Sequence, residues 1–248
     1  MLYVTELGEY YSPFGAIERL LPLRKKIFNR VIFAPSASSE WRTDEIPDLG
    51  VPFKTKTIRD FSYRQIMTAA QEEQVSCIAV DLDGSSHEAT LRELALKSPL
   101  PVLVLNRGRD SDAELLNHVI FATDWSTASE RAMEHILALA EFIYELDIIH
   151  VISEKLTVKD MRELKERLEH TRKVCLNEGI NAESHIYAGD VAEEIVTASD
   201  DYRGSIIVVG SNAGRSFMDR LFRKNKVCAL IKSATVPVFV IPFAAEDD

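Results

Sequence analysis

Two glycines in the last third of the chain are the residues best suited to holding a ligand. Gly210 and Gly214 follow the apolar segment that begins at Ser205, and they precede a group of basic residues. Glycine suits a phosphate-binding loop because backbone N–H groups can approach the anion without a Cβ in the way. Two glycines in a loop are more often simple turn chemistry, and basic residues more often a solvated helix face, so these alternatives stay open. The basic residues are Arg215, Arg220, Arg223, Lys224 and Lys226.

Patterns for catalysis and metal binding are missing from the sequence. Ser126 and Ser211 have no histidine and acid at the spacing of a nucleophile with its base. The P-loop lysine motif and the dinucleotide motif GxGxxG are also missing. His150 lies within an apolar run, which is typical of a hydrogen-bonded core histidine. We therefore expect no enzymatic turnover and no metal site. The cysteines, which lack CxxC spacing, are expected to be free thiols: Cys77, Cys175 and Cys228.

Composition is typical of a water-soluble globular protein. Of the 248 residues, 46% are hydrophobic and 27% are charged, which supplies enough apolar surface for a core. The net charge of −10 argues against nucleic acid as the main partner, because phosphate backbones attract basic surfaces. No stretch approaches the roughly 20 apolar residues of a membrane span, and the first residues lack signal-peptide features. We expect a cytoplasmic protein with no membrane partner.

The elements that would position the glycines alternate between strands and helices. Val119-Ile-Phe-Ala-Thr123 and Asp147-Ile-Ile-His-Val-Ile152 are predicted to be buried strands, since they are short and rich in branched apolar residues. Residues 155–178 carry apolar side chains at helical spacing. Thr127 and Glu130 form a predicted capping box that begins the helix between the two strands. The alternation predicts a mostly parallel sheet with helices on both faces.

An internal repeat extends this pattern to the first half of the chain. Residues 50–81 align without a gap with residues 179–210, at an offset of 129. Leu100-Pro-Val-Leu-Val-Leu105 matches Val236-Pro-Val-Phe-Val-Ile241 at an offset of 136, and the first two strands match at 118 and 117. The growing offset indicates that the first copy has lost most of the long helix and one loop. The predicted domains are residues 1–106 and 115–248, joined by a linker over residues 107–114.

Five motifs occur in order on the alternating strands and helices of the second half: Ile120-Phe-Ala-Thr-Asp124-Trp-Ser126, His150-Val151, Gly189-Asp190, Val208-Val-Gly-Ser-Asn-Ala-Gly214 and Val236-Pro-Val-Phe-Val240. This ordered set resembles the universal stress protein family. The resemblance implies an α/β fold with two doubly wound, mostly parallel five-stranded sheets of the Rossmann-like, adenine nucleotide alpha hydrolase-like type, packed as an internal pseudo-dimer. It also implies that two units pair through their last strands, and here both units lie in one chain. We further expect a homo-oligomer, a dimer through last-strand edges, and a regulatory role in stress response with an unknown protein partner.

One branch of this family binds ATP, and the resemblance transfers its contacts residue by residue. An aspartate after the first strand and a valine on the second contact the base and sugar, and Asp124 and Val151 occupy these positions. The phosphate loop of that branch has the pattern G-x2-G-x9-G-[ST]. Gly210 fits the first glycine, Gly214 fits the second after a one-residue insertion, and Lys224-Asn225 replaces the last two residues. The candidate set for ATP or another adenine nucleotide is Asp124, Ser126, Val151, Gly210, Gly214, Lys224 and Asn225.

Both copies depart from the family pattern. Lys224 adds a cation that could meet a phosphate, but its side chain could also block the approach. In the first copy Glu6 replaces the aspartate and Asp81 the first glycine, and two acids would repel a phosphate. Asp124 could itself be a ligand contact or a turn residue before the Thr127 cap. We expect a stress-response regulator without turnover whose nucleotide binding is weak or lost. The alternatives are a sensor of ATP, ADP or AMP and, with no catalytic motif to support it, an enzyme related to nucleotidyl transferases or ATP pyrophosphatases.

Overall fold

The computed structural model describes residues 1–5, 30–35, 50–81, 86–105, 114–211 and 224–243. These residues form ten β-strands and six α-helices. The strands are β1 (Leu2–Thr5), β2 (Val31–Pro35), β3 (Phe53–Thr55), β4 (Ile78–Asp81), β5 (Val102–Val104), β6 (His118–Ala122), β7 (Glu145–Ile152), β8 (Asn181–Ala188), β9 (Ile206–Ser211) and β10 (Val238–Pro242). The helices are α1 (Tyr63–Glu72), α2 (Glu88–Lys97), α3 (Thr127–Ala138), α4 (Val158–Asn177), α5 (Val191–Asp201) and α6 (Lys224–Ser233).

All ten strands belong to one sheet with the order β3-β2-β1-β4-β5-β10-β9-β6-β7-β8. Neighbouring strands are parallel except β5 and β10, which pair antiparallel. The first five and the last five strands have the same internal order, so the mostly parallel, Rossmann-like α/β fold is confirmed. The two predicted five-stranded sheets join into one continuous sheet, because the last strands of the two units, β5 and β10, pair with each other, as the resemblance implied. The internal pseudo-dimer stays a prediction.

The junction between β5 and β10 occupies the edges at which we expected a second copy to bind. Val238 on β10 pairs with Val104 on one side and with Ile207 on the other. β5 likewise lies between β4 and β10. The predicted dimer through last-strand edges is therefore corrected, because the backbone groups of these strands are already paired within the chain. Dimerisation through another surface stays a prediction.

Strand register supports the internal repeat and corrects one part of its alignment. The pairing of β1 with β4 and that of β6 with β9 agree with the offsets of 118 and 129. On the other side of β1, Leu2 pairs with Ile32, whereas its counterpart Ile120 pairs with Asp147. Ile32 is therefore the counterpart of Asp147, and the predicted alignment of the second strands is wrong by two residues.

Strands β6 and β9 are apolar on both faces because helices cover both. Ile120 and Ala122 on β6 enter one core, which also receives side chains from α1, α2, α5 and α6. Val119 and Phe121 point the other way and enter a second core beneath α3 and α4. The alternation of side chains along a strand produces this division. The short apolar runs of the sequence are thus central strands covered by helices on two sides.

Several predicted features lie outside the described residues. These are Glu6, Gly214, the basic residues up to Arg223, and the linker except for Glu114. The domain boundaries therefore stay a prediction. Among the helices of the described segments, none combines the length and the apolar character that a membrane span requires.

Candidate functional site

Three of the predicted ligand residues lie at the carboxyl ends of adjacent parallel strands. In the sheet, β6 lies between β7 and β9. Asp124 follows the end of β6, Val151 lies near the end of β7, and Gly210 lies near the end of β9. The register therefore brings these three positions to one edge of the sheet. Doubly wound folds bind their ligands at this edge.

Asp124 forms the turn that leads into α3. Its Oδ1 atom accepts hydrogen bonds from the N–H of Ser126 at 2.9 Å and from Oγ of Ser129 at 3.0 Å. Ser126 is the N-cap residue of α3, and its Oγ accepts from the N–H of Ser129 at 3.4 Å. The predicted capping box of Thr127 and Glu130 is wrong by one residue. The N-cap is Ser126, whose side chain accepts a hydrogen bond from the N–H of Ser129 in the first turn. Asp124 and Ser126 thus hold the start of α3.

Gly210 packs directly against the backbone of the first turn of α3. An ideal Cβ on Gly210 would lie 2.4 Å from the carbonyl carbon of Ala128 and 2.5 Å from the backbone nitrogen of Ser129. Backbone atoms cannot move out of the way as a flexible side chain can, so a residue with a side chain would push α3 from the sheet. Close packing of strand and helix is therefore sufficient to account for a glycine at this position.

Val151 is buried, and the neighbouring His150 is half-buried and hydrogen-bonded. The Nδ1–H group of His150 donates to the carbonyl oxygen of Thr123 at 2.9 Å, and its ring packs against that of Trp125 at a tilt of 33°, with centroids 4.8 Å apart. Burial lowers the pKa of His150, and the bond to the Thr123 carbonyl opposes this effect. The structure thus confirms a hydrogen-bonded core histidine.

An open recess of about 610 Å³ lies beside Trp125, between α3 and α4. The Nε1–H of Trp125 donates to Oγ1 of Thr171 at 3.2 Å, and the Arg167 guanidinium lies 5.9 Å from the centroid of its ring. The carboxylates on the walls would repel a phosphate. They belong to Glu130, Glu163 and Glu166.

The predicted phosphate loop ends at Lys224 and Asn225, which lie in the described part of the chain. They are the first two residues of α6. The Lys226 ammonium pairs with the carboxylate of Asp190 and holds the pKa of that carboxyl below its usual range. Asp190 is also the N-cap of α5 and accepts from the N–H of Ala192 at 3.0 Å. Lys226 therefore has an anionic partner within the chain.

The counterpart of Gly210 in the first copy is a buried acid. Asp81 ends β4, and its Oδ2 atom accepts a hydrogen bond from the phenol of Tyr3 at 3.1 Å. The corresponding edge in the first copy thus carries a buried carboxylate where a phosphate loop would need glycine.

A second group of polar side chains, which the sequence analysis missed, lies on β6, β7 and β8 before the carboxyl ends of these strands. Asp147 is buried on β7 and accepts from Nε2–H of His118 at 2.6 Å and of His185 at 2.8 Å. Burial acts most strongly on the pKa of Asp147 and would raise it, but hydrogen bonds from both histidines hold it below its usual value. The Asp147 carboxylate in turn raises the pKa of His118. An aspartate inside an apolar strand and the alternation Glu183-Ser-His185 were the signals available in the sequence.

The model of the universal stress protein family matches residues 116–242, from β6 to the end of β10. The chain belongs to the universal stress protein family. The match includes the edge at which Asp124, Val151 and Gly210 lie. No curated protein matches this universal stress protein.

Solved structures similar to this universal stress protein come from several organisms. A universal stress protein from Archaeoglobus fulgidus DSM 4304 is 21% identical, with a TM-score of 0.69 over 97% of this chain and 96% of that one. A functionally unknown protein from Pseudomonas aeruginosa PAO1 is 15% identical, with a TM-score of 0.68 over 97% and 92%. A universal stress protein family protein from Arabidopsis thaliana with AMP bound is 24% identical, with a TM-score of 0.39 over 52% and 93%. The first two similarities extend the fold over both halves of the chain.

Proposed function

We propose that this universal stress protein acts in stress response without catalytic turnover, and that its second half binds adenine nucleotide weakly or not at all. In this proposal it also has an unknown protein partner, and its compartment is the cytoplasm. Membership of the family supports the role in stress response. The state of the predicted ligand residues supports the loss of nucleotide binding.

The observation that carries this proposal is the engagement of Asp124. Its Oδ1 atom already accepts two hydrogen bonds, from Ser126 and Ser129, which together order the start of α3. A ribose hydroxyl or an adenine amine that used this oxygen would compete with the hydrogen bonds of the turn. Each displaced bond to a charged acceptor costs about 1.5 kcal/mol or more. A ligand that bound through Oδ1 would therefore bind against the stability of α3.

Three other features of the same edge also support weak or absent nucleotide binding. Gly210 fits against the backbone of Ala128, so its presence does not require a phosphate. Lys226 is paired with Asp190, so its charge is already compensated. The recess beside Trp125 is lined by three carboxylates, which oppose an anion and outnumber the Arg167 guanidinium on the same walls.

The two serines at this edge have structural partners, which supports the absence of turnover. Ser126 caps α3 through the N–H of Ser129. Ser211 is buried, and its hydroxyl donates to the carbonyl oxygen of Ala95 on α2 at 2.8 Å. A nucleophile needs a base within hydrogen-bond reach, and the hydrogen bonds described for these hydroxyls lead to neither histidine nor carboxylate.

A nucleotide sensor is the second candidate function. It is favoured by the convergence of Asp124, Val151 and Gly210 at the carboxyl ends of β6, β7 and β9. A sensor would bind ATP, ADP or AMP at this edge, with the loop after β9 on the phosphates. Direct titration distinguishes the two candidates.

Calorimetric titration of the full chain with ATP, ADP and AMP tests the proposal. We expect no saturable heat in the micromolar range. Asp124→Asn is the diagnostic variant, because it keeps an oxygen that accepts from Ser126 and Ser129 but removes the charge. Asp160→Asn, at the capping box of α4, is the matched control. Micromolar binding that Asp124→Asn abolishes and Asp160→Asn preserves would overturn the proposal in favour of the sensor.

A phosphate-release assay tests the absence of turnover. We expect the same flat trace with ATP for the wild type and for Lys224→Ala. Steady release of phosphate or pyrophosphate by the wild type, lost in Lys224→Ala, would show that the protein is an enzyme.

A further inference from the structure

The carboxylate–histidine cluster, defined as Asp147, Glu183 and His185, is distinct from the edge that carries Asp124. Asp147 pairs in register with Glu183, so the two residues lie side by side on β7 and β8. His185 lies two residues further along β8 and therefore projects from the same face. Asp147 and Glu183 are the third residues of β7 and β8, and His185 is the fifth residue of β8, whereas Asp124 follows the carboxyl end of β6. The cluster is thus a separate location on the same sheet.

We propose that this cluster binds a divalent transition-metal ion such as Zn²⁺. Asp147 Oδ1 lies 2.8 Å and Glu183 Oε2 lies 3.9 Å from His185 Nε2. The three ligand atoms all lie within 4.8 Å of one another. Zinc bonds of about 2.0–2.2 Å place neighbouring ligand atoms roughly 3–3.5 Å apart. Rotation of the Glu183 side chain, which is 74% exposed, is sufficient to close this difference.

Neighbouring side chains hold the ligands in the manner of a built metal site. His118 Nε2–H donates to Asp147 Oδ2 at 2.6 Å and leaves Oδ1 directed at His185. The Tyr202 hydroxyl lies 3.0 Å from Nδ1 of His185, and the two rings stack with centroids 4.4 Å apart. With metal bound, the neutral imidazole carries its hydrogen on Nδ1, donates it to Tyr202, and presents the Nε2 lone pair to the ion. Such outer contacts orient ligands and fix the histidine tautomer.

The donor set selects the class of metal. One imidazole nitrogen and two carboxylates suit Zn²⁺ and neighbouring first-row ions, whereas Ca²⁺ and Mg²⁺ prefer oxygen ligands alone. The two carboxylates also neutralise the charge of a divalent ion. Side-chain exposure is 7% at Asp147 and 20% at His185, so these ligands are preorganised while Glu183 faces solvent. Water would complete the coordination from that side.

In the first copy of the repeat, the positions that correspond to the carboxylate–histidine cluster carry no metal ligands. Ile32 corresponds to Asp147, and the offset of 129 places Lys54 and Lys56 at the positions of Glu183 and His185. Both lysines pair with Glu73, which corresponds to Tyr202. In the first copy, the positive charge at these positions thus comes from lysine ammonium groups of the chain itself. The second copy carries ligands at these positions instead.

Titration of the tag-free full chain with Zn²⁺, after treatment with a chelator, tests the proposal. We expect saturable binding of one ion per chain and a higher melting temperature with Zn²⁺ than without it. Mg²⁺ at the same concentration should produce neither effect. Absence of saturable Zn²⁺ binding, or equal binding of Mg²⁺, would refute the site.

Variants assign the binding to these residues. His185→Gln and Glu183→Gln should each weaken Zn²⁺ binding by more than about tenfold, and Tyr202→Phe, at a positioning residue, by about tenfold. Glu183 is exposed, so its variant should fold normally, as checked by circular dichroism. His170→Gln, at an exposed histidine on α4 across the sheet, is the matched control. Wild-type affinity in folded Glu183→Gln and His185→Gln, or an equal loss in His170→Gln, would show surface binding instead.

Discussion

Gly210 on β9 and Ala128 on α3 are in such close contact that no side chain fits between them. An ideal Cβ on Gly210 would lie 2.4 Å from the Ala128 carbonyl carbon. Ala128 itself is buried, so the first turn of α3 rests on the end of β9. The same turn contains Ser126 and Ser129, which bind Asp124. The glycine therefore sets the position of the helix start that organises the candidate site.

Gly210→Ala should lower the free energy of unfolding by about 3 kcal/mol, because the added methyl group meets backbone atoms. Urea unfolding measures the change. Gly179→Ala is the matched control: Gly179 has φ +84°, but nothing lies within 4 Å of an added Cβ. Its cost should be about 1 kcal/mol, from backbone strain alone. An equal or smaller loss in Gly210→Ala would contradict the packing argument.

Val238→Asp should destabilise the whole sheet, because it places a carboxylate at a fully buried position between β5 and β9. We expect a loss of about 4 kcal/mol or more in urea unfolding. Val158→Asp is the matched control, since Val158 is 91% exposed and begins α4, where an acid is favourable. Equal stability of the two variants would show that the β5–β10 junction contributes little.

Ser211→Ala should weaken the contact between the two halves of the chain. The Ser211 hydroxyl is buried and donates to the carbonyl of Ala95, which lies 116 residues away in sequence. Loss of this hydrogen bond should cost about 1 kcal/mol in chemical denaturation. Ser233→Ala, where an exposed hydroxyl donates to Ala229 within α6, should cost less. The reverse order of costs would argue against a role for Ser211 in joining the halves.

His150 should make the stability of the protein fall in mild acid. Burial lowers its pKa in the folded state, the Thr123 carbonyl and Asp124 oppose this, and Arg167 adds to it. The unfolded chain, with a histidine pKa of about 6.5, therefore binds more protons than the folded chain as the pH falls. Protonation of His150 therefore leaves the free energy of unfolding unchanged above a pH of about 6.5. It lowers that free energy as the pH falls from this value towards the lower pKa of the folded state.

The variant His150→Asn tests this pH dependence, since its amide can still donate to Thr123. Urea unfolding between pH 8 and pH 5 should show a smaller loss of stability in the variant than in the wild type. Other histidines, such as His118 and His135, titrate in both proteins and cancel in the comparison. Parallel profiles would contradict the assignment to His150.

Much of the fold followed from local patterns in the sequence. Runs such as Val119–Thr123 are apolar at every position because helices cover both faces of the strand, and this is visible without any knowledge of neighbours. The repeat at an offset of 129 predicted the same strand order in both halves. The resemblance to the universal stress protein family, which implied a parallel doubly wound sheet, placed Asp124 and Gly210 at one edge, because parallel strands end together at the same side of a sheet.

Long-range pairing decided the rest. The union of β5 with β10 joins backbone groups far apart in the chain, and no local pattern distinguishes an edge paired within the chain from one paired with a second copy. The contact of Gly210 with Ala128 and the meeting of His118, Asp147 and His185 depend on register between strands, where a shift of one residue reverses the face. Sequence patterns thus determined which segments are buried and in what order they run, and the tertiary structure determined which side chains meet.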